Sequence, residues 1–257
     1  MEATSMGRIA SGSGSRDFHF WMAGVFLLIA FGGFTPTYWA RVATGTFHAP
    51  PIVHIHGALL FTWTLFYFMQ TAYIANGRTA LHQAWGLFGI SLFSLLVCSI
   101  LATKIVMMKA DEAAGFGDAG RRFAAVPLFA LPPMIAFFAL AIANVRRPEI
   151  HKRLMFVLLA SMMTPAVARI FLVILFAGKT GSTTGAPPPN FVVIPPTLVA
   201  CALIGVGMIH DRRTRGRPHK VYVYGLLALL LTMLLGVLVA DTQTWMNMAR
   251  WLQGLGG

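Results

Sequence analysis

Apolar residues run through this chain in seven long blocks, separated by short polar, glycine- or proline-marked breaks. The blocks are Phe18 to Ala40, Ile52 to Ala75, Leu81 to Met107, Phe123 to Val145, Ile150 to Phe176, Phe191 to Ile209 and Val221 to Ala240. Each is long enough to cross the hydrocarbon of a bilayer as a helix. An eighth segment, Asp241 to Leu252, follows a different pattern. There Trp245, Met248, Trp251 and Leu252 recur three and four apart, which predicts an amphipathic helix lying on the membrane. The expected fold class is therefore all-α: a polytopic membrane bundle of seven transmembrane helices plus a C-terminal interfacial helix.

The breaks agree with this division. Residues 1–17 are rich in Ser, Gly and Thr and read as a flexible leader, 18–240 as the membrane domain and 241–257 as the interfacial tail. The first apolar run is too long for a cleaved signal and no A-x-A site follows it, so an uncleaved anchor is expected. Asn76-Gly77 makes a turn, Ala110 to Arg122 an acidic loop, and Ala177 to Asn190 a Gly-, Thr- and Pro-rich loop. Pro127, Pro132 and Pro133 predict a bend or break in the fourth block.

The second block has a polar side. At 100° per residue, His56, Trp63, Tyr67, Gln70 and Ile74 fall within about 40° of one another. That stripe suggests one wall of an internal cavity. His54 and His56 lie two apart, so a regular helix points them about 160° away from each other. A copper or zinc site from His48, His54 and His56 requires the helix to start after His54, which Pro50 and Pro51 permit.

Composition narrows the class. The 257 residues are 57% hydrophobic and 11% charged, against about 25% charged in soluble domains. The net charge of +12 is no nucleic-acid signal, because the Lys and Arg residues sit in the breaks, where they set topology. With the N-terminus inside, the inner segments carry Arg8, Arg16, Arg78, Arg146, Arg147, Lys152, Arg153, Arg212, Arg213, Arg215, Arg217 and Lys220. The outer ones carry Arg41, Lys104, Lys109, Arg121, Arg122, Lys179 and Arg250. This asymmetry favours the N-terminus inside and the C-terminus outside, which in a bacterial inner membrane are the cytoplasm and the periplasm. Its expected partners are the lipid bilayer and other membrane-protein subunits. Cys98 and Cys201 each lie within a span and read as small core residues.

Three blocks open alike, as GRTALHQAWG, RRPEIHKRLM and RGRPHKVYVYG, with Arg shortly before a helix-opening His. The likeness has two readings. Arg supplies inside charge and His is tolerated at the interface, or a repeated hairpin brings His82, His151 and His219 to one site, with His210 joining them. From His82, Gly86, Gly89 and Phe93 follow on one side. The glycines leave room for a porphyrin or quinone ring, or simply let helices pack closely. His82 with His151 is the first axial pair to consider for a haem b, and Met162 is a deeper ligand. Arg169 is ionisable within a span and lies at the level of His56. It either snorkels to headgroups or faces inward to hold a carboxylate such as a haem propionate. No Walker motif, G-x-G-x-x-G, H-E-x-x-H, C-x-x-C-H or G-x-S-x-G occurs, and no carboxylate is expected in mid-span.

At HIHGALLFTWTLFYFMQ, GRTALHQAWG and HKRLM the chain resembles uncharacterised bacterial inner-membrane protein families of unknown function. It is more distantly similar to b-type, b561-like membrane cytochromes. That resemblance implies haem-mediated electron transfer. Those cytochromes place His pairs a membrane apart on two helices; here no helix does, so one haem is the form implied. Three functions stay open: a redox protein holding haem b or acting on quinone, an accessory subunit of a respiratory or photosynthetic complex, and a small-anion transporter or receptor.

Overall fold

A computed structural model describes the backbone of residues 3–176 and 186–255 and the side chains of 17–175 and 186–255. Among these residues all regular structure is helical. Seven helices are long and apolar enough to cross a membrane, which makes this a multi-pass membrane architecture. We number them span 1 (Asp17–Ala43), span 2 (Pro51–Ala75), span 3 (Gly86–Ala113), span 4 (Gly117–Ala143), span 5 (Pro148–Leu175), span 6 (Asn190–Arg215) and span 7 (Lys220–Val239). The first helix extends back to Ala3, through the stretch read as a leader. A terminal helix covers Gln243–Gly254. Most of the loop expected at Ala177 to Asn190 lies outside the described residues.

Spans 1, 2, 3, 4, 7 and 6 follow one another as neighbours, and span 5 closes against 1, 4, 6 and 7. Span 5 is accordingly the most enclosed, with 44% of its apolar window buried against 17% for span 7. At its centre Phe156 is fully buried between Phe26 and Tyr222, each edge-on to it. The remaining surface is apolar and faces lipid, as with Trp21, Leu28, Leu87 and Ile174. Two close approaches fix the packing. A Cβ on Gly225 of span 7 would stand 2.4 Å from Val157 Cγ1, and one on Gly33 of span 1 would meet the Ala166 carbonyl of span 5. Glycine lets those backbones touch.

Local chemistry sets the helix ends. Pro51 and Pro148 open spans 2 and 5, where a missing N–H costs nothing. Gly77 (φ 71°) and Gly216 (φ 78°) take the left-handed conformation that closes spans 2 and 6. His219 caps span 7, its ring accepting from Val221 N–H.

Two boundaries differ from the sequence reading, each for a polar reason, and one expected break is missing. Span 3 continues to Ala113, and the acidic loop shrinks to a tight turn around Gly115. The charges of that region are satisfied on the helices: Arg121 binds Glu112, Asp118 at 2.8 Å and Gln253 at 2.9 Å. Span 6 runs on to Arg215 because Asp211 is buried against Arg153. Span 4 is one helix through Pro127, Pro132 and Pro133, not broken by them.

The terminal helix also departs from expectation. Trp245 is 1% exposed, and its indole donates to the Arg121 carbonyl at 2.9 Å. With Met246 and Ala249 it packs on Met108, Ala124 and Ala125 of spans 3 and 4. Met248 and Trp251 remain exposed. The stripe read as one membrane-facing side is therefore divided between protein and surroundings.

Candidate functional site

One cavity of about 410 Å³ dominates the described residues, within the usual 300–1,000 Å³ of small-molecule sites. It lies at the end of the bundle where span 2 begins and span 3 ends. The other end, where span 5 begins, carries most of the arginines and is called the basic end below.

The cavity forms where two spans lose regular helical geometry. In span 1, Pro36 sits in a single π turn, Thr35–Trp39. In span 5, Pro165 cannot bond the Ser161 carbonyl, so the helix breaks at Met163 and Thr164 Oγ1 donates to that carbonyl at 3.0 Å. Span 4 adds Pro127 and Pro133. Residues at both interruptions line the space, Thr37 and Tyr38 on span 1 and Ser161 to Pro165 with the exception of Met163 on span 5, together with Pro127 and Pro133 of the unbroken span 4.

The wall is mainly apolar, with polar groups gathered on spans 2, 3 and 5. His56, Lys104, Asp111 and Arg169 all line it. Ser99 Oγ donates its one hydrogen to the Leu96 carbonyl at 2.7 Å. His56 Nδ1 lies 2.9 Å from the same oxygen, and with the hydroxyl hydrogen on the Leu96 carbonyl it is Nδ1 that donates. In that tautomer the lone pair is on Nε2, which has no hydrogen-bond partner among the described residues. Lys104 Nζ lies over the Phe123 ring at 5.6 Å, and Arg169 over the Phe34 ring at 5.6 Å. The Lys104 charge reaches His56, Arg169 and Asp111. No carboxylate comes within 4 Å of Lys104 among the described residues.

The structure divides the residues singled out from the sequence. His56, Met162 and Arg169 meet at the cavity. Trp63, Tyr67 and Gln70 do not line it: they are buried in the core below, 1%, 5% and 8% exposed. Only the first residue of the stripe is cavity wall, because the second span's polar side passes from the cavity into close packing. Trp63 there touches Phe66, Phe93 and Phe138.

At the basic end His82 and His151 do meet, ring centres 6.2 Å apart and 78° between planes. His151 Nδ1 donates to the Ala141 carbonyl at 2.8 Å. Burial, and next the nearby His151, lower the proton affinity of His82. The space expected at Gly89 is taken, while that at Gly86 is open. A Cβ on Gly89 would stand 2.7 Å from Phe66 Cε1, so that glycine seats a phenyl ring rather than a flat ligand. Gly86 has nothing within 4 Å of such a Cβ. The wider convergence of histidines is corrected too. His210 stacks on Phe18 at 3.8 Å. His219 binds Asp211 through its backbone N–H at 3.1 Å, and burial with the Arg153 charge lowers its proton affinity.

Among the described residues no three His, Cys, Asp or Glu side chains gather as metal ligands. The His48, His54 and His56 group is thereby corrected: the helix begins at Pro51, before both later histidines, and turns them apart. His54 Nδ1 pairs with the Tyr38 hydroxyl at 3.1 Å while His56 turns to Ser99.

Sequence reading missed two features. Lys104 was placed at a helix end, whereas span 3 runs nine residues beyond it. Arg153 and Asp211, both 1% exposed, form a buried ion pair that ties span 5 to span 6. Glu149 extends it to Lys152, Arg153 and Arg215. The signal available was the pairing of HKR with HDR at adjoining helix ends. The chain matches no protein-family profile, and no curated protein and no solved structure is significantly similar to it.

Proposed function

We propose that this is a membrane redox protein that holds a b-type haem in the cavity at the His56 end. One observation carries the reading: Ser99 ties the Nδ1 proton of His56, leaving its Nε2 lone pair at an apolar cavity edged by Lys104 and Arg169. A hydrogen-bonded Nδ1 is the usual support of a metal-ligating imidazole. His56 would hold its iron, and Met162 is the further ligand available on span 5. Arg169 and Lys104 would hold the anionic propionates. The haem brings one-electron chemistry, and the chain binds it, orients it and excludes water. A membrane quinone would use the same two cations as donors to its carbonyl oxygens. In a bacterial inner membrane with the N-terminus inside, the cavity faces the periplasm.

The test is the absorbance spectrum and iron content of the purified protein. A Soret band lost in His56→Ala and kept in His82→Ala and His151→Ala supports this assignment. Loss in the latter two alone moves the haem to the basic end. No Soret band and no iron removes the haem reading.

A second reading, a carrier or receptor for an anionic amphiphile, is favoured by Lys104, which faces the cavity without an ion pair among the described residues. Long-chain carboxylate binding abolished in Lys104→Met, in protein free of iron, selects it.

A further inference from the structure

Below the cavity the core holds polar groups that nothing satisfies. Trp63 Nε1, both amide atoms of Gln70 and the Tyr222 hydroxyl are buried without a hydrogen-bond partner among the described residues. The residues themselves are 1%, 8% and 0% exposed. Tyr67 beside them is 5% exposed. These groups belong together. Trp63, Tyr67 and Gln70 share one stripe of span 2, four and three residues apart. Tyr67 of span 2 and Tyr222 of span 7 lie within electrostatic reach of each other, and Phe26 and Phe156 link them ring to ring. The Gln70 backbone carbonyl lies beside the half-buried His82, whose Nδ1 is also buried and unpartnered. Beside Tyr222 stands Arg153, 5.9 Å from its ring and ion-paired to Asp211.

Nearly all buried polar groups in native proteins find a partner. In lipid the partner must come from inside the bundle. Several orphans along one helix face, continued at the basic surface by His82, therefore mark a place for buried water, which typically makes about three hydrogen bonds to such groups. Phe26 packs on Tyr67 and on Phe156 beside these groups.

We propose that Trp63, Tyr67, Gln70 and Tyr222 bind a short chain of ordered water, entered past His82, which carries protons between the basic surface and the middle of the bundle. Along it each water, hydroxyl or imidazole accepts a proton on one side and releases one on the other, so no bond order or charge changes overall. Gln70 holds water in place and relays nothing. None of the four residues lines the cavity, so the inference stands apart from the cofactor reading.

Hydrogen exchange on the full-length protein in detergent tests it, with indole-¹⁵N tryptophan and the Trp63 signal assigned by Trp63→Phe. Trp63 indole N–H is expected to exchange at least ten-fold faster than the helix-bonded backbone amides of Trp63 and Phe66, since water reaches it without unfolding. Gln70→Leu or Tyr222→Phe, whichever folds, is expected to slow that exchange ten-fold or more. An indole exchanging no faster than those amides overturns the proposal. So does fast exchange that both variants leave unchanged, because the water would then not run past these groups.

Discussion

The buried Arg153–Asp211 pair gives the sharpest quantitative expectation. Replacing Asp211 by Ala removes two charge-assisted bonds, Nε to Oδ2 at 2.8 Å and Nη2 to Oδ1 at 2.5 Å. Such bonds contribute about 1.5–3 kcal/mol each. Removing one partner of a buried pair costs about 3–5 kcal/mol, because the other charge is left uncompensated. Arg153 is not wholly stripped, since Nη1 keeps the Glu149 carboxylate at 2.8 Å and the Glu149 carbonyl at 2.6 Å. The lower end applies, about 3 kcal/mol, or roughly a hundred-fold in the folding equilibrium. The assay is a denaturant titration of detergent-purified protein followed by tryptophan fluorescence. Arg215→Gln is the control: its pair with Glu149 is 42% and 50% exposed, where about 0–1 kcal/mol is expected. The apolar double replacement Arg153→Met with Asp211→Leu should recover most of the loss. If Asp211→Ala loses no more than Arg215→Gln, the pair is not dry and the reasoning fails.

Three further expectations follow from the packing and the interface. Gly225→Ala should cost about 1–3 kcal/mol through overpacking, since its Cβ would lie 2.4 Å from Val157 Cγ1; Val157→Ala in the same chain should restore part of it in the same titration. Trp245→Phe leaves the Arg121 carbonyl without its 2.9 Å donor, a loss of about 1–3 kcal/mol, and limited proteolysis should then cut near 243–255 well before the spans. Folding lowers the proton affinity of His82, through burial and His151, below its ordinary value of 6.5. The unfolded chain therefore takes the proton first, and the stability His82 contributes is complete above that value and lost as pH falls through the folded one. His219 shifts the same way. The denaturation midpoint should fall on acidification from about pH 7 to about pH 5, and less steeply in His82→Gln; equal slopes would count against the burial argument.

The hydrophobic pattern determined a good deal. Seven blocks of apolar residues demanded seven spans, since in lipid only helices satisfy their own backbone. The three His-opening segments marked His82 and His151, which do meet. Tertiary structure decided which of the marked residues share a space. In a soluble helix the apolar face points inward, but lipid is as apolar as the core, so the pattern leaves the facing of a span undetermined. That is why the stripe could not show that His56 meets a cavity while Trp63, Tyr67 and Gln70 enter packed core. It is also why Gly89 looked like room for a ligand when Phe66 fills it. Boundaries went astray where polar residues find partners far away in sequence. Asp211 is buried by Arg153, 58 positions earlier, and the Arg121 carbonyl takes up Trp245, 124 positions later. The cavity lies beside the irregular turns at Pro36 and Pro165, with Pro127 and Pro133 of the unbroken span 4 in its wall. Each proline is legible alone as a disturbance, and only the fold sets them side by side around His56, Lys104 and Arg169.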